Sequence, residues 1–254
     1  MDDSIGIVLS GGAARGAVHI GVLHALNENG IFPDRVAGSS AGALIGALYC
    51  GGITPIEILK LARSHRFLKV FKIGLINRGL TEMTRLKTFL QYYLEDDFDT
   101  LEVPLHISVT NLNLGKSEII GSGQLIDVVC ASCAIPLLFK PITMNGHSYV
   151  DGGLLNNLPV EPLLDNCDVV IGVSINNHME VKRIKGALSI TERCLQLAVW
   201  NTIQERLAKC HIAIETPQAF KYSAFSFKKS EELFEIGYQA TLERMDEIKT
   251  RISR

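Results

Sequence analysis

Twice within the first fifty residues, a short apolar run breaks at glycines and passes into a helical pattern. Ile5-Gly6-Ile7-Val8-Leu9 stops at Ser10-Gly11-Gly12, with the length and apolarity of a strand buried in a parallel sheet. Val18, Val22, Ala25 and Leu26 then recur on one helix face, and Gly30 supplies the stop. Arg35-Val36-Ala37 reads as a second short strand before Gly38, and Ala41 to Cys50 as a tightly packed helix. Strand, glycine-rich loop and helix, repeated, restrict the chain to an α/β fold. Leu105 to Thr110 and Val169 to Ser174 supply further strands, and Pro141 to Asp151 folds back through the hairpin turn Asn145-Gly146. Ile190, Cys194, Leu197 and Ala198 suggest a helix, and Leu233, Ile236, Ala240, Met245, Ile248 and Ile252 predict a closing amphipathic helix.

The 254 residues show no linker-like stretch or internal repeat, so a single domain over 1–254 is expected. A 47% apolar content against 20% charged residues excludes disorder. Twenty-five basic against 27 acidic side chains argue against nucleic acid, which needs a basic surface. Met1-Asp2-Asp3-Ser4 lacks the basic start of a secretory signal, so a cytoplasmic location is expected. Val36 to Ile56 carries no charge and is long enough to span a bilayer, with Gly38, Gly42 and Gly46 at helix-pairing spacing. Ser39-Ser40, Gly51-Gly52 and Thr54-Pro55 dilute its apolarity, and a buried soluble segment is the expectation. The six cysteines read as reduced, packed thiols. Cys130-Ala-Ser-Cys133 has no second pair or histidine cluster to complete a metal site, and no metal or organic cofactor is implied.

Gly38-Ser39-Ser40-Ala41-Gly42 matches G-x-S-x-G between an expected strand and an expected helix. A serine on such a turn is strained, exposes its Oγ, and has the positive end of a helix beside it. The competing reading is a small-residue crossing of close-packed elements. Gly11-Gly12-Ala13-Ala14-Arg15-Gly16 is a second strand-to-helix loop whose N–H groups suit an anion. A dinucleotide is the alternative, but Ala13 breaks the G-x-G-x-x-G spacing and no P-loop Lys-Ser/Thr follows. A serine needs a base, yet His65, His106, His147, His178 and His211 lack the setting of a catalytic turn. Asp151-Gly152-Gly153 differs: an acid at a hairpin's end, followed by two glycines that permit close approach.

Leu9 to Gly16, Gly38 to Gly42 and Asp151-Gly152-Gly153 together resemble the three signature blocks of the patatin-like phospholipase family. His19-Ile20-Gly21-Val22-Leu23, Ala131-Ser132 with Ile135-Pro136, and Asn156-Asn157-Leu158-Pro159-Val160 also match, so the resemblance covers residues 5 to 175. It implies a three-layer α/β/α sandwich around a mainly parallel sheet, with 180–254 as a mostly helical covering region. It also implies catalysis by a Ser–Asp dyad without histidine: Ser40 the nucleophile, Asp151 the base, the Gly11–Gly16 loop the oxyanion hole, and Arg15 in the family's basic position. Ala13 stands where many members carry glycine, which matters only if that residue needs φ > 0.

The expected activity is hydrolysis of phospholipid or lysophospholipid esters through an acyl-enzyme. The resemblance supplies the lipid; the residues alone supply acyl chemistry. A general esterase or thioesterase on soluble substrates and a weakly active regulatory protein are the rivals. Glu57 to Arg78 interleaves Lys60, Arg63, Arg66, Lys69, Lys72 and Arg78 with apolar residues. Such a segment either meets the inner face of a membrane or packs as a core helix with a solvated basic face.

Overall fold

The computed structural model describes residues 3–70, 81–176, 180, 184–224 and 226–252. The first repeat gives β1 (Ile5–Leu9), a single 3-10 turn at Ala13–Gly16 and α1 (Ala17–Glu28). The second gives β2 (Arg35–Ser39) and α2 (Ala41–Cys50), so the uncharged Val36–Ile56 stretch is a strand and a buried helix. No helix among the described residues is long and apolar enough to cross a membrane. Next come α3 (Pro55–Arg63), α4 (His65–Val70), α5 (Thr84–Leu90), β3 (Leu105–Asn111), β4 (Lys116–Ile120) and α6 (Leu125–Ser132). The expected hairpin is β5 (Ile142–Met144) and β6 (His147–Asp151), turning at Asn145 and Gly146 with φ of 50° and 77°. Such positive φ at both central residues is the tight turn that Asn-Gly favours. The chain continues through α7 (Glu161–Leu164), β7 (Val169–Ser174), α8 (Ala187–Leu207), β8 (Ile212–Glu215), α9 (Ser230–Leu242) and α10 (Met245–Ile252).

Eight strands among the described residues form one sheet in the order β5-β6-β3-β2-β1-β7-β8, with β4 also on β3. β3, β2, β1, β7 and β8 run parallel; β4, β5 and β6 pair antiparallel. Side chains alternate between two faces. Ile5, Ile7 and Leu9 join a large cluster that includes α1, α2, α6 and α9. Val8, Ala37 and Val170 face Leu163 of α7 and Ile203 and Leu207 of α8. Helix, sheet and helix therefore make the three layers.

Two features of 180–254 differ from expectation. β8 adds a strand beside β7, so this region extends the sheet as well as covering it. The single closing helix is two helices, broken after Leu242. Thr241 Oγ1 donates back to the Gly237 carbonyl at 2.8 Å, a bond that bends a helix. α9 lies close against α1: a Cβ on Gly237 would stand 2.0 Å from the Val18 carbonyl oxygen.

The basic stretch, as far as it is described, packs on the core. Ile58, Ala62, Phe67 and Val70 are buried. Arg63 pairs with Glu231 and the Arg66 guanidinium lies 4.5 Å from the Tyr92 ring centre. Residues 71–80, including Lys72 and Arg78, lie outside the described residues.

Candidate active site

Three strand ends meet at the C-terminal edge of the parallel strands. β1 runs into Gly11–Gly16, β2 runs into Ser40, and β6 ends at Asp151. The register explains why residues 111 apart in sequence touch. β4 occupies one edge of β3 from Ile107 to Asn111. β2 and β6 therefore share the other edge: β2 pairs as far as Ser39 with Ser108, and Asp151 faces the next residue, Val109. Two strands arriving end to end on one edge deliver Ser40 and Asp151 to a single point.

Ser40 Oγ donates to Asp151 Oδ2 at 2.7 Å, and the Gly153 N–H donates to Asp151 Oδ1 at 2.8 Å. Asp151 is otherwise held by its backbone: its N–H reaches the Ala134 carbonyl at 3.0 Å, and its carbonyl accepts from Thr110 Oγ1 at 3.0 Å. Burial pushes the Asp151 carboxyl from 3.8 up to about 6, against the two hydrogen bonds, which pull it down. A carboxyl poised there is ionised at neutral pH and accepts a proton more readily than an exposed aspartate.

Ser40 caps α2 with φ 51° and ψ −117°, a conformation that favours glycine. Its N–H donates to Ser132 Oγ at 2.8 Å, and Ser132 Oγ donates to the Ser108 carbonyl at 2.7 Å. The Ser40 carbonyl accepts from the Cys133 thiol at 3.3 Å. Gly42 lets the first turn of α2 press on β1, where a Cβ would stand 2.1 Å from the Leu9 carbonyl oxygen. Gly38, Gly152 and Gly153 are equally crowded: a Cβ there would press on Gly42, on the Ser108 carbonyl and on Asn157 respectively.

In the Gly11–Gly16 loop, several N–H groups are already engaged. Gly11 N–H donates to Asn157 Oδ1 at 3.0 Å, Ala14 N–H to the Ala224 carbonyl, and Arg15 N–H to the Gly12 carbonyl. Among the described residues, the N–H groups of Gly12 and Ala13 have no protein acceptor. Ala13 has φ 51°, so the position does require the left-handed conformation that glycine adopts freely. Arg15 is buried with its Nε unpartnered, its guanidinium 5.2 Å from the Phe220 ring centre, and burial lowers its pKa.

In the sequence Ser132 and Asn157 stand out only as residues of the flanking matches. The structure makes them the props of the site: Ser132 fixes the serine turn, and Asn157 fixes Gly11 from both its amide oxygen and nitrogen. Asn176, which donates to the Gly11 carbonyl, has no local signal in the sequence. His19 is buried, held near the neutral form at about 4, and hydrogen-bonds the Ser10 carbonyl at 2.7 Å. Among the described residues no histidine lines the cavities that contain Ser40, and His178 lies outside them.

Ser40 opens on two cavities. The wider, of ≈ 340 Å³, also exposes Asp151, Arg15 and Asn157 and is walled by Leu137, Leu197 and Phe220. The narrower, of ≈ 50 Å³, runs between α1, α2, α3 and α4. Among the described residues no group of acidic, histidine or cysteine side chains forms a metal cluster.

Residues 7–164 match the family described as patatin-like phospholipase. The chain is 26% identical over 276 residues to lysophospholipase NTE1 of Kluyveromyces lactis, covering 92% of this chain and 19% of that protein. Against lysophospholipase NTE1 of Phaeosphaeria nodorum it is 29% identical over 278 residues, 93% of this chain and 18% of the other. It thus spans less than a fifth of the length of these curated relatives. The fold matches VipD from Legionella pneumophila with a TM-score of 0.57 at 16% identity, over 97% of this chain and 67% of that one. It matches the type III effector protein ExoU with a TM-score of 0.50 at 12% identity, over 97% and 53%. With the family match covering more than half its length, and with the α/β/α fold to go with it, the chain belongs to the patatin-like phospholipase family.

Proposed function

We propose that this protein is a serine acyl hydrolase that cleaves phospholipid or lysophospholipid esters through Ser40 and Asp151. The observation that carries the reading is the 2.7 Å hydrogen bond from Ser40 Oγ to the buried Asp151 carboxylate, at the floor of an apolar-walled mouth. Asp151 takes the hydroxyl proton as Oγ bonds to the ester carbonyl carbon. The oxyanion is met by the free N–H groups of Gly12 and Ala13 and by the positive end of α2. Asp151 returns the proton to the departing alcohol oxygen as the carbon–oxygen bond breaks. Water then attacks the acyl-enzyme, gives its proton to Asp151, and the carboxylic acid leaves as Ser40 recovers its hydroxyl.

The lipid class draws support from the relatives, which are described as lysophospholipases, and from the mouth. Leu137 and Leu197 there are 56% and 39% exposed, a surface suited to a lipid aggregate. The phosphate of a phospholipid gives Arg15 an anionic partner. Labelling with a fluorophosphonate, followed by peptide mapping, tests the nucleophile: an adduct on Ser40 is expected. A folded protein that takes no label would instead be a non-catalytic member. Comparison of phospholipid vesicles with soluble p-nitrophenyl esters then separates lipid hydrolysis, with faster vesicle turnover, from a general esterase.

A further inference from the structure

Resting on the hydrolase reading, we infer that Asn176 is a positioning residue for the oxyanion donors: it holds the Gly11 carbonyl and so aims the Gly12 N–H. The two groups belong to one peptide unit, and a trans peptide points its C=O and its N–H to opposite sides. Whatever grips the carbonyl therefore sets the direction of the N–H. Rotating that plane changes ψ of Gly11 and φ of Gly12, and neither residue has a Cβ to favour one orientation. A donor on such a unit needs a lock from outside.

The neighbouring units of the loop are locked by other means. The Ser10 carbonyl accepts from the His19 ring at 2.7 Å, and the Gly11 N–H of that unit donates to Asn157 Oδ1 at 3.0 Å. The Gly12 carbonyl, whose unit carries the Ala13 N–H, accepts from the Arg15 N–H at 3.2 Å within the local turn. The matching local donor for the Gly11 carbonyl would be the Ala14 N–H, but that is spent on the Ala224 carbonyl at 2.9 Å. Among the described residues, the Gly11 carbonyl accepts instead from two side-chain amides, Asn157 Nδ2 at 3.4 Å and Asn176 Nδ2 in closer contact. A 3.4 Å contact is long for an N–H···O bond, so the lock rests chiefly on Asn176. The sheet brings it there. β1 and β7 run parallel with Leu9 beside Val173. The pairing continues past the strands: the Ser10 N–H donates to the Val173 carbonyl at 3.1 Å, and the Ile175 N–H to Ser10 Oγ at 3.1 Å. The same register carried forward sets Gly12 beside Asn176, and a Cβ on Gly12 would stand 3.3 Å from Asn176 Oδ1. Asn176 borders the wide mouth together with Ser40 and Gly12.

A matched pair of substrates on the full chain, p-nitrophenyl butyrate and its thionobutyrate, tests the assignment. Sulfur in place of the carbonyl oxygen is a weak acceptor, so aimed N–H donors favour the ester, and a site that has lost their aim favours it less. Asn176→Leu removes the donor at similar size; Asn176→Asp keeps the shape but turns an ionised acceptor toward the Gly11 carbonyl. Loss of a whole oxyanion donor costs about 10²–10³-fold in kcat; with Asn157 still in place, each variant is expected to lose about tenfold or more, with KM nearly unchanged. The oxygen-to-sulfur ratio of kcat/KM is expected to fall in both. Both substrates are run on one preparation, so this ratio does not depend on how much of it is folded, and a purely structural role would leave it unmoved. A ratio that stays at the wild-type value in either variant overturns the assignment while leaving the hydrolase intact. So does a raised KM with kcat unmoved, which would make Asn176 a substrate-binding side chain. A wild-type protein that splits no ester and takes no fluorophosphonate on Ser40 overturns the hydrolase reading, and the role of Asn176 with it.

Discussion

The two strand-to-helix turns of this molecule lie side by side on β1 and β2, and each holds a non-glycine residue at φ 51°. Their supports differ. Ser40 is clamped on both its backbone polar groups, by Ser132 and by the Cys133 thiol, and its side chain is anchored on Asp151. Among the described residues the Ala13 N–H has no protein acceptor, and the loop is pinned on either side, at Gly11 and Ala14. One turn spends its hydrogen bonds on fixing a side chain. The other keeps a pair of donors in reserve. Strain of this kind persists only where the surroundings over-determine it, and the difference fits the proposed roles of a nucleophile turn and a receptor turn.

The largest effects should come from the clamped turn. Ser40→Ala and Asp151→Asn are each expected to lower kcat by about 10³-fold or more, as loss of a nucleophile or its base does elsewhere. Single substitutions of His19, His65, His106, His147, His178 or His211 should not approach that loss; a folded histidine variant as inactive as Ser40→Ala would replace the dyad with a triad. Because the Asp151 carboxyl is raised to about 6, activity should fall as pH drops through that value and the base becomes protonated. A kcat/KM profile still flat down to pH 4.5 would mean that Asp151 is not the base.

The same carboxyl should show itself in stability. An aspartate raised from 3.8 to about 6 by folding costs nothing below 3.8, where both states are protonated. The cost grows between these values and stands in full above about pH 6, at about 3 kcal/mol. Asp151→Asn should therefore be inactive yet more stable at pH 8, with the gain vanishing near pH 4. Denaturant titrations at the two pH values measure it. A gain independent of pH would show that desolvation of the charge is not what the wild-type site bears.

Ser132 is the next step down. Ser132→Ala leaves the Ser40 N–H and the Ser108 carbonyl without their buried partner. An expected loss of about 1–3 kcal/mol per orphaned group should accompany a lower kcat, because the turn loses its clamp. Unchanged stability with unchanged kcat would remove the distinction drawn between the two turns.

Much of this frame was legible in the chain. β1 and β7 are short apolar runs, and the glycine blocks mark where backbone passes backbone. What was not legible is either weakly patterned or non-local. β4, Lys-Ser-Glu-Ile-Ile, is only partly buried, and β8 has four residues at the sheet's edge, so neither produces a strong apolar run. The basic face of Glu57–Val70 is real, but the apolar side chains between its charges include Ile58, Phe67 and Val70, which the core takes up. The meeting of Ser40 with Asp151 depends on β2 and β6 sharing one edge of β3, which no local spacing encodes. Motifs identified both residues; only the register places them in contact.

The smallest effect compares the turns directly. At a left-handed position glycine is favoured over alanine by roughly 1–2 kcal/mol of relieved backbone strain, partly offset by its freer unfolded chain. Ala13→Gly should therefore stabilise the protein by roughly 1 kcal/mol, raising the thermal midpoint by about 2–4 °C for a chain of this size. For the other turn the matching quantity is the difference between Ser40→Gly and Ser40→Ala, which share the loss of the hydroxyl. It should be the larger of the two, because φ 51° with ψ −117° is a conformation glycine adopts with little competition. If Ala13→Gly also lowers kcat, the methyl group is holding two N–H donors in their aim, and the alanine in this loop contributes orientation at the expense of stability. Equal stability of wild type and Ala13→Gly would place the strain in the serine turn alone.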